Sequence, residues 1–234
     1  MMLEGIVSAP NAEQMPWAED VALCAVRVGA FGYTPNDLRR FKAGMVSPIY
    51  IDARRFFFHP VERDVVMFCL GQTVKRLEQL RGAPYDVIAS VPLGATPHAS
   101  KVVDRLGKPE VLIRKEPKQY GLKKHIEGGD VNGKHVLLVE DLVTTFASSG
   151  EAIKKLRDEG ALVDAVVSIV TYGFKESIQA AQAAGVHLCA LTSVSDIVKA
   201  AMQEGQITDA DLKVVRQWLD DPWKWTAENQ HRIE

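Results

Sequence analysis

The chain predicts an α/β fold: a central, mostly parallel sheet flanked by helices. Three observations lead there. From residue 85 onward, strand-like runs alternate regularly with helical ones. The strand runs, such as HVLLVED and ALVDAVVSIV, are apolar throughout, as strands covered on both faces are. With 47% hydrophobic residues over 234 positions, the chain suits one globular domain with a full core and at most a small appendage.

Residues 1 to about 17 read as a loose leader. Residues 21–31 carry apolar side chains at helical spacing and close on Gly29 and Gly32. SPIYIDARRFFF alternates as a strand, with Pro48 near its start. Residues 61–80 return to helical periodicity and stop at RGAP. The alternation then runs YDVIASVP (strand), HASKVVDRLG (helix), PEVLIRKEP (strand), HVLLVED (strand) and SSGEAIKKLRDEG (helix). It ends with ALVDAVVSIVTYG (strand), KESIQAAQAAG (helix) and VHLCALTS (strand). Residues 195–219 read as two short helices, the second opened by TDAD, an N-cap with acids in its first turn. DDPWKWTAENQHRIE shows no clear pattern. No internal repeat or low-complexity segment is present. One segment breaks the rhythm: EPKQYGLKKHIEGGDVNGK, residues 116–134, joins two strands without a convincing helix. A long polar loop inside a compact domain is functional or disordered.

Charge and composition exclude several classes. A net charge of −2 supplies no general field for nucleic acid. No run reaches the roughly 18 apolar residues of a membrane span, and the N-terminus lacks the basic and apolar blocks of a signal peptide. Cys24, Cys69 and Cys189 are scattered, without zinc or redox spacing, and read as reduced core thiols of a cytoplasmic protein.

The stretch VLLVEDLVTTFASSGEAI carries the chemistry. It begins as a buried strand, passes two acids, and turns through hydroxyls and small residues into a helix. In open parallel sheets, ligands bind beyond the carboxyl ends of the strands. Glu140 and Asp141 fall there, able to accept hydrogen bonds from sugar hydroxyls if the strand end bends both toward one site. The helix N-terminus behind TTFASS offers backbone N–H groups and hydroxyls to an anion. Sugar hydroxyls and a phosphate one turn apart describe a ribose 5-phosphate. A bland strand, acidic turn and Ser N-cap would give the same letters. GxxxxGK[ST] and GxGxxG are both absent, which argues against a P-loop and a dinucleotide fold.

VLLVEDLVTT resembles the 5-phosphoribosyl-1-pyrophosphate (PRPP) motif of type I phosphoribosyltransferases. FKAGMVSPIYIDAR, YDVIASVPLGATPHAS and VLIRKEPKQYGLKKHIEG resemble, respectively, the N-terminal segment, pyrophosphate-side loop and mobile catalytic loop of the orotate phosphoribosyltransferase branch. The resemblance runs from about residue 28 to 198. It implies an N-terminal leader and hood over residues 1–60, a core over 61–200 with a mobile loop at 116–134, and a helical tail over 201–234.

The activity it implies joins orotate to the anomeric carbon of PRPP and expels pyrophosphate, in pyrimidine biosynthesis. Glu140 and Asp141 would hold the ribose hydroxyls and steady the cation-like sugar. Thr144, Thr145, Ala147 and Ser148 would cradle the 5-phosphate, while Arg114, Lys115 and Lys118 would meet pyrophosphate. Lys118 would be the lysine that moves in during chemistry. Lys42 would lie by the base, and Thr144 beside it. Mg2+ would arrive with PRPP, with no direct protein ligand, and a homodimer would share its mobile loops between sites. His125 is a lesser candidate for acid–base work, and His98 beside Pro97 reads as local packing or a backbone partner.

Three positions depart from the family pattern. Phe146 stands where Gly usually follows the two threonines. Thr171 and Tyr172 stand where many members carry an Arg that reads the base. Gly94 and Ala95 stand where bacterial relatives often place a Lys. These departures keep two other expectations open: a phosphoribosyltransferase for another base, and a non-catalytic PRPP-binding regulator.

Overall fold

The computed structural model describes residues 15–116 and 125–233. In chain order its elements are α1 (Ala18–Arg27), β1 (Phe31–Tyr33), β2 (Arg39–Arg40), β3 (Val46–Ser47) and β4 (Ile49–Ile51). A 3-10 helix (Ala53–Phe58) and α2 (Pro60–Arg81) follow, then β5 (Val87–Ser90), α3 (Thr96–Leu106), β6 (Glu110–Ile113) and β7 (Ile126–Glu127). The chain continues through β8 (Val136–Val143), α4 (Ala147–Asp158), β9 (Ala165–Thr171), α5 (Lys175–Ala183) and β10 (His187–Ser193). It closes with α6 (Val194–Gln203), α7 (Asp209–Asp220), α8 (Pro222–Asn229) and a 3-10 turn (Gln230–Arg232).

Six strands form the central sheet in the order β10-β9-β8-β5-β6-β7. All pairings are parallel except that of β7 with β6. The expected strands are apolar throughout because both faces are covered, and β8 shows how the pleat divides them. Leu137 and Val139 enter a core shared with α1, α2, α6 and the tail; Val136 and Leu138 enter a second core under α4 and α5. The first core runs from Met15 to Trp225, so hood, sheet and tail are packed as one body.

The hood is made of two antiparallel pairs, β1 with β4 and β2 with β3. Its anchor is distant in sequence. Val46 on β3 donates its N–H to Thr226 Oγ1 (2.9 Å) and accepts from Trp218 Nε1 (2.8 Å) through its carbonyl. The indole of Trp218 is fully buried against Phe41, Tyr172 and Phe174.

Three expectations are corrected. SPIYIDARRFFF is not one strand: Asp52 accepts from the Arg54 N–H, caps the 3-10 helix and ends the strand at Ile51. The stretch 116–134 is not loop throughout, because β7 adds an antiparallel edge and Val131 is buried in the second core. DDPWKWTAENQHRIE is not patternless: Asp221 accepts from the Lys224 N–H and caps α8, with Pro222 in its first turn. The pattern is hard to read because α8 buries little more than Trp225 and Thr226.

Candidate active site

Glu140 and Asp141 sit at the carboxyl end of β8, beside the ends of β5 and β9. Their side chains leave the strand on opposite faces. Glu140 follows Val136 and Leu138 toward α4, is buried, and accepts from Ser149 Oγ at 3.0 Å. Asp141 is half-buried on the other face, and its N–H donates to Glu140 Oε1 at 3.3 Å. The two carboxyls still interact across the strand end. Burial first, and then the neighbouring Asp141, hold the Glu140 carboxyl well above the usual range. A ribose diol donating two hydrogen bonds there would relieve that crowding.

After Val143, Thr144 and Thr145 bend away, half-buried. Phe146 then adopts the left-handed conformation, with φ at +71°. Its carbonyl accepts the first helical bond of α4, from the Gly150 N–H at 2.8 Å. The N–H groups ahead of that bond, including those of exposed Ala147 and Ser148, head the twelve-residue α4 as an anion cradle. Ser149 was not anticipated; its position as the last hydroxyl of TTFASS, facing back to Glu140, is visible only in three dimensions.

Arg114 and Lys115 lie exposed just beyond β6. Arg114 pairs with Glu127 on β7 at 3.0 Å. Helix α4 ties down both flanks of the next segment. Lys155 Nζ donates to the Arg114 and Lys115 carbonyls (3.0 and 2.8 Å), and Glu159 accepts from the His125 and Ile126 N–H groups (2.7 and 3.1 Å). His125 is thereby held as a neighbour of the β6–β7 ladder, its carbonyl accepting from the Arg114 N–H at 2.8 Å. Lys118 lies outside the described residues.

Lys42 is exposed on a tight turn of the hood, between β2 and β3. The preceding Phe41 packs edge-on against Tyr172 at 5.4 Å, which ties that turn to the end of β9. No helix among the described residues is long and apolar enough to cross a membrane.

Comparisons with known proteins place the chain in a family. No family model matches the chain. The orotate phosphoribosyltransferase of Levilactobacillus brevis is 35% identical over 210 residues, covering 90% of this chain and 98% of its own. That of Staphylococcus haemolyticus is 31% identical, covering 87% and 99%. Among solved structures, Leishmania donovani UMP synthase superposes with a TM-score of 0.73 at 26% identity, over 87% of this chain and 42% of that longer one. This chain belongs to the orotate phosphoribosyltransferase family.

Within that family its three departures acquire physical reasons. Phe146 keeps the backbone angle that glycine would supply and turns its ring into the second core, 4% exposed, beside Ala152 and Ile153. The burial of the ring offsets a left-handed strain of about 1–2 kcal/mol. Gly94 has no room for a side chain, because a Cβ there would overlap the Asp141 carboxylate. Ala95 is fully buried at the start of α3. Thr171 Oγ1 is engaged by the Gly173 N–H at 3.1 Å, and the Tyr172 hydroxyl is buried within the aromatic cluster. His98 is packed locally: it is fully buried, lies 4.8 Å from the Phe57 ring, and its imidazole is pushed down to about 4 by burial.

Proposed function

We propose the following division of labour for the reaction that family membership assigns to this chain. That reaction is transfer of the 5-phosphoribosyl group from PRPP to orotate, giving orotidine 5′-phosphate and pyrophosphate on the route to UMP. The observation that carries the reading is the junction of β8 and α4. Two carboxyls at a strand end are followed by a left-handed turn into a helix N-terminus, one turn of chain apart.

The 5-phosphate sits on the α4 N-terminus, taking N–H groups and hydroxyls of Thr144, Thr145, Ala147 and Ser148. Glu140 and Asp141 accept from the ribose hydroxyls. As the glycosidic bond stretches and the sugar becomes cation-like, their negative charge opposes it at short range. Charge accumulating on pyrophosphate is met by Arg114 and Lys115, and by Lys118 as the lysine that moves in. Lys42 faces the base from the hood.

Mg2+ would come in on PRPP oxygens and neutralise the leaving group. The cytoplasm suits three cysteines, none of them in a disulfide. The homodimer rests on an apolar stripe formed by Phe58, Val61, Val65 and Phe68, exposed by 86, 72, 38 and 55%. Such a stripe on a chain of this size is covered by a second copy.

Loss of orotate absorbance in purified protein given PRPP and Mg2+ tests the reaction. Consumption requiring both is expected. Retained PRPP binding without consumption would overturn orotate as the acceptor, and loss of both would overturn the site.

A further inference from the structure

Orotate carries a carboxylate beside the nitrogen that is glycosylated, so an orotate site needs a cation aimed at the base. The sheet order limits where that cation can come from. Arg114 and Lys115 leave β6, two strands away from β8 on the side opposite β9. On the β9 side the strand ends in Thr171 and Tyr172, both uncharged and both turned to internal contacts. Among the described residues the hood supplies further cations, including Lys42 on its exposed turn and Arg54 on the 3-10 helix.

Arg54 has the geometry for it. It lies in the first turn of the 3-10 helix that packs on β8, electrostatically within reach of Asp141. Its guanidinium is fixed side-on by Asp52, with Nε to Oδ1 at 2.6 Å and Nη2 to Oδ2 at 3.0 Å. The second hydrogen of Nη2 goes to the Tyr50 hydroxyl at 3.1 Å. Among the described residues nothing accepts from Nη1, and the side chain is 56% exposed. A fork held on one edge and open on the other is oriented before any ligand arrives, which lowers the ordering cost of binding. Tyr50 accepts from Arg54 and keeps its own proton to donate. Asp52 therefore serves twice, capping the 3-10 helix and aiming the fork.

We propose that Arg54, oriented by Asp52 and Tyr50, is the specificity residue that reads the orotate carboxylate. The proposal rests on the orotate reading above. It makes discrimination between orotate and uracil, which lacks the carboxylate, a property of the hood.

Steady-state kinetics of Arg54→Gln, Arg54→Lys and Tyr50→Phe test it, with circular dichroism to show that each is folded. In Arg54→Gln the KM for orotate rises roughly 10–100-fold while that for PRPP stays within about twofold. The preference for orotate over uracil falls by a similar factor. Arg54→Lys recovers part of the loss, and Tyr50→Phe loses less than Arg54→Gln. An unchanged orotate KM in an active Arg54→Gln enzyme would overturn the proposal, as would equal loss for PRPP and orotate. If the wild-type enzyme itself leaves orotate unconsumed, the orotate reading fails instead.

Discussion

The two halves of the proposed site are built in different ways. The ribose-phosphate half comes from one continuous stretch, Glu140 to Ser149, in which strand end, turn and helix start follow each other within ten residues. The base half is assembled from afar. Its hood strand β3 takes both backbone hydrogen bonds from Trp218 and Thr226, more than 170 residues on. Its Lys42 turn is held by Phe41 against Tyr172. Local construction makes the phosphate half insensitive to distant changes, whereas the base half depends on a tail that never approaches the chemistry. The difference predicts where damage travels.

The largest expected effect therefore comes from the tail. Trp218→Ala removes a fully buried indole and leaves the Val46 carbonyl only the longer contact from Thr226 Oγ1 at 3.5 Å. It should cost about 3–5 kcal/mol of stability. Under conditions where the variant remains folded, the KM for orotate should rise more than that for PRPP. Equal changes in the two constants would dissolve the distinction between the halves.

His98 comes next. It lies under the hood, between the 3-10 helix that carries Arg54 and the Asp141 side of β8. Burial pushes its imidazole from the ordinary 6.5 down to about 4, against an opposing pull from Asp141; Arg63 adds slightly to the depression. Because the folded value lies below the unfolded one, its contribution is complete above about pH 6.5 and is lost as pH falls toward 4. The loss amounts to about 3 kcal/mol. Chemical denaturation at pH 7 and pH 4.5 should show a slope that His98→Leu flattens. An unchanged slope would mean that other groups dominate acid unfolding.

What could be read from the sequence follows the same division. The alternation of strands and helices, the two carboxyls and the phosphate turn are local patterns, and residues 136–153 carry them whole. Arg54 was invisible as a site residue. IDARR reads as the end of a strand until Asp52 is seen to cap a 3-10 helix and grip the guanidinium. The antiparallel β7 was hidden because two residues of strand carry no periodicity. The reason for Gly94 was hidden because it is set by Asp141, 47 positions later. Phe146 was visible as an anomaly, but its side chain's destination depends on the second core, which no local pattern specifies.

Phe146 gives a smaller effect and tests the claim that the phosphate half is self-sufficient. Phe146→Gly relieves about 1–2 kcal/mol of left-handed strain but forfeits the burial of a ring, which costs about 3–5 kcal/mol in a Phe→Ala change. The net is a loss of about 2 kcal/mol, readable as a fall in Tm, with the KM for PRPP nearly unchanged. A large rise in that KM would show that the ring helps to hold the cradle after all.

The smallest effect is a gain, and it isolates what the two carboxyls cost the resting protein. Glu140 is buried, and its carboxyl is held high first by that burial and then by Asp141. Since its folded pKa lies above the unfolded one, ionising Glu140 opposes folding. The penalty is present at pH above the folded value and absent below the unfolded one. Glu140→Gln keeps an oxygen that can accept from Ser149 Oγ and supplies an N–H toward Asp141. It should raise Tm at high pH by a modest margin that vanishes near pH 4, while turnover falls because the cation-like sugar loses a counter-charge. A variant that is less stable at every pH would mean that Glu140 is held chiefly by its bond to Ser149. Strain stored at the strand end for substrate to release would then no longer describe this site.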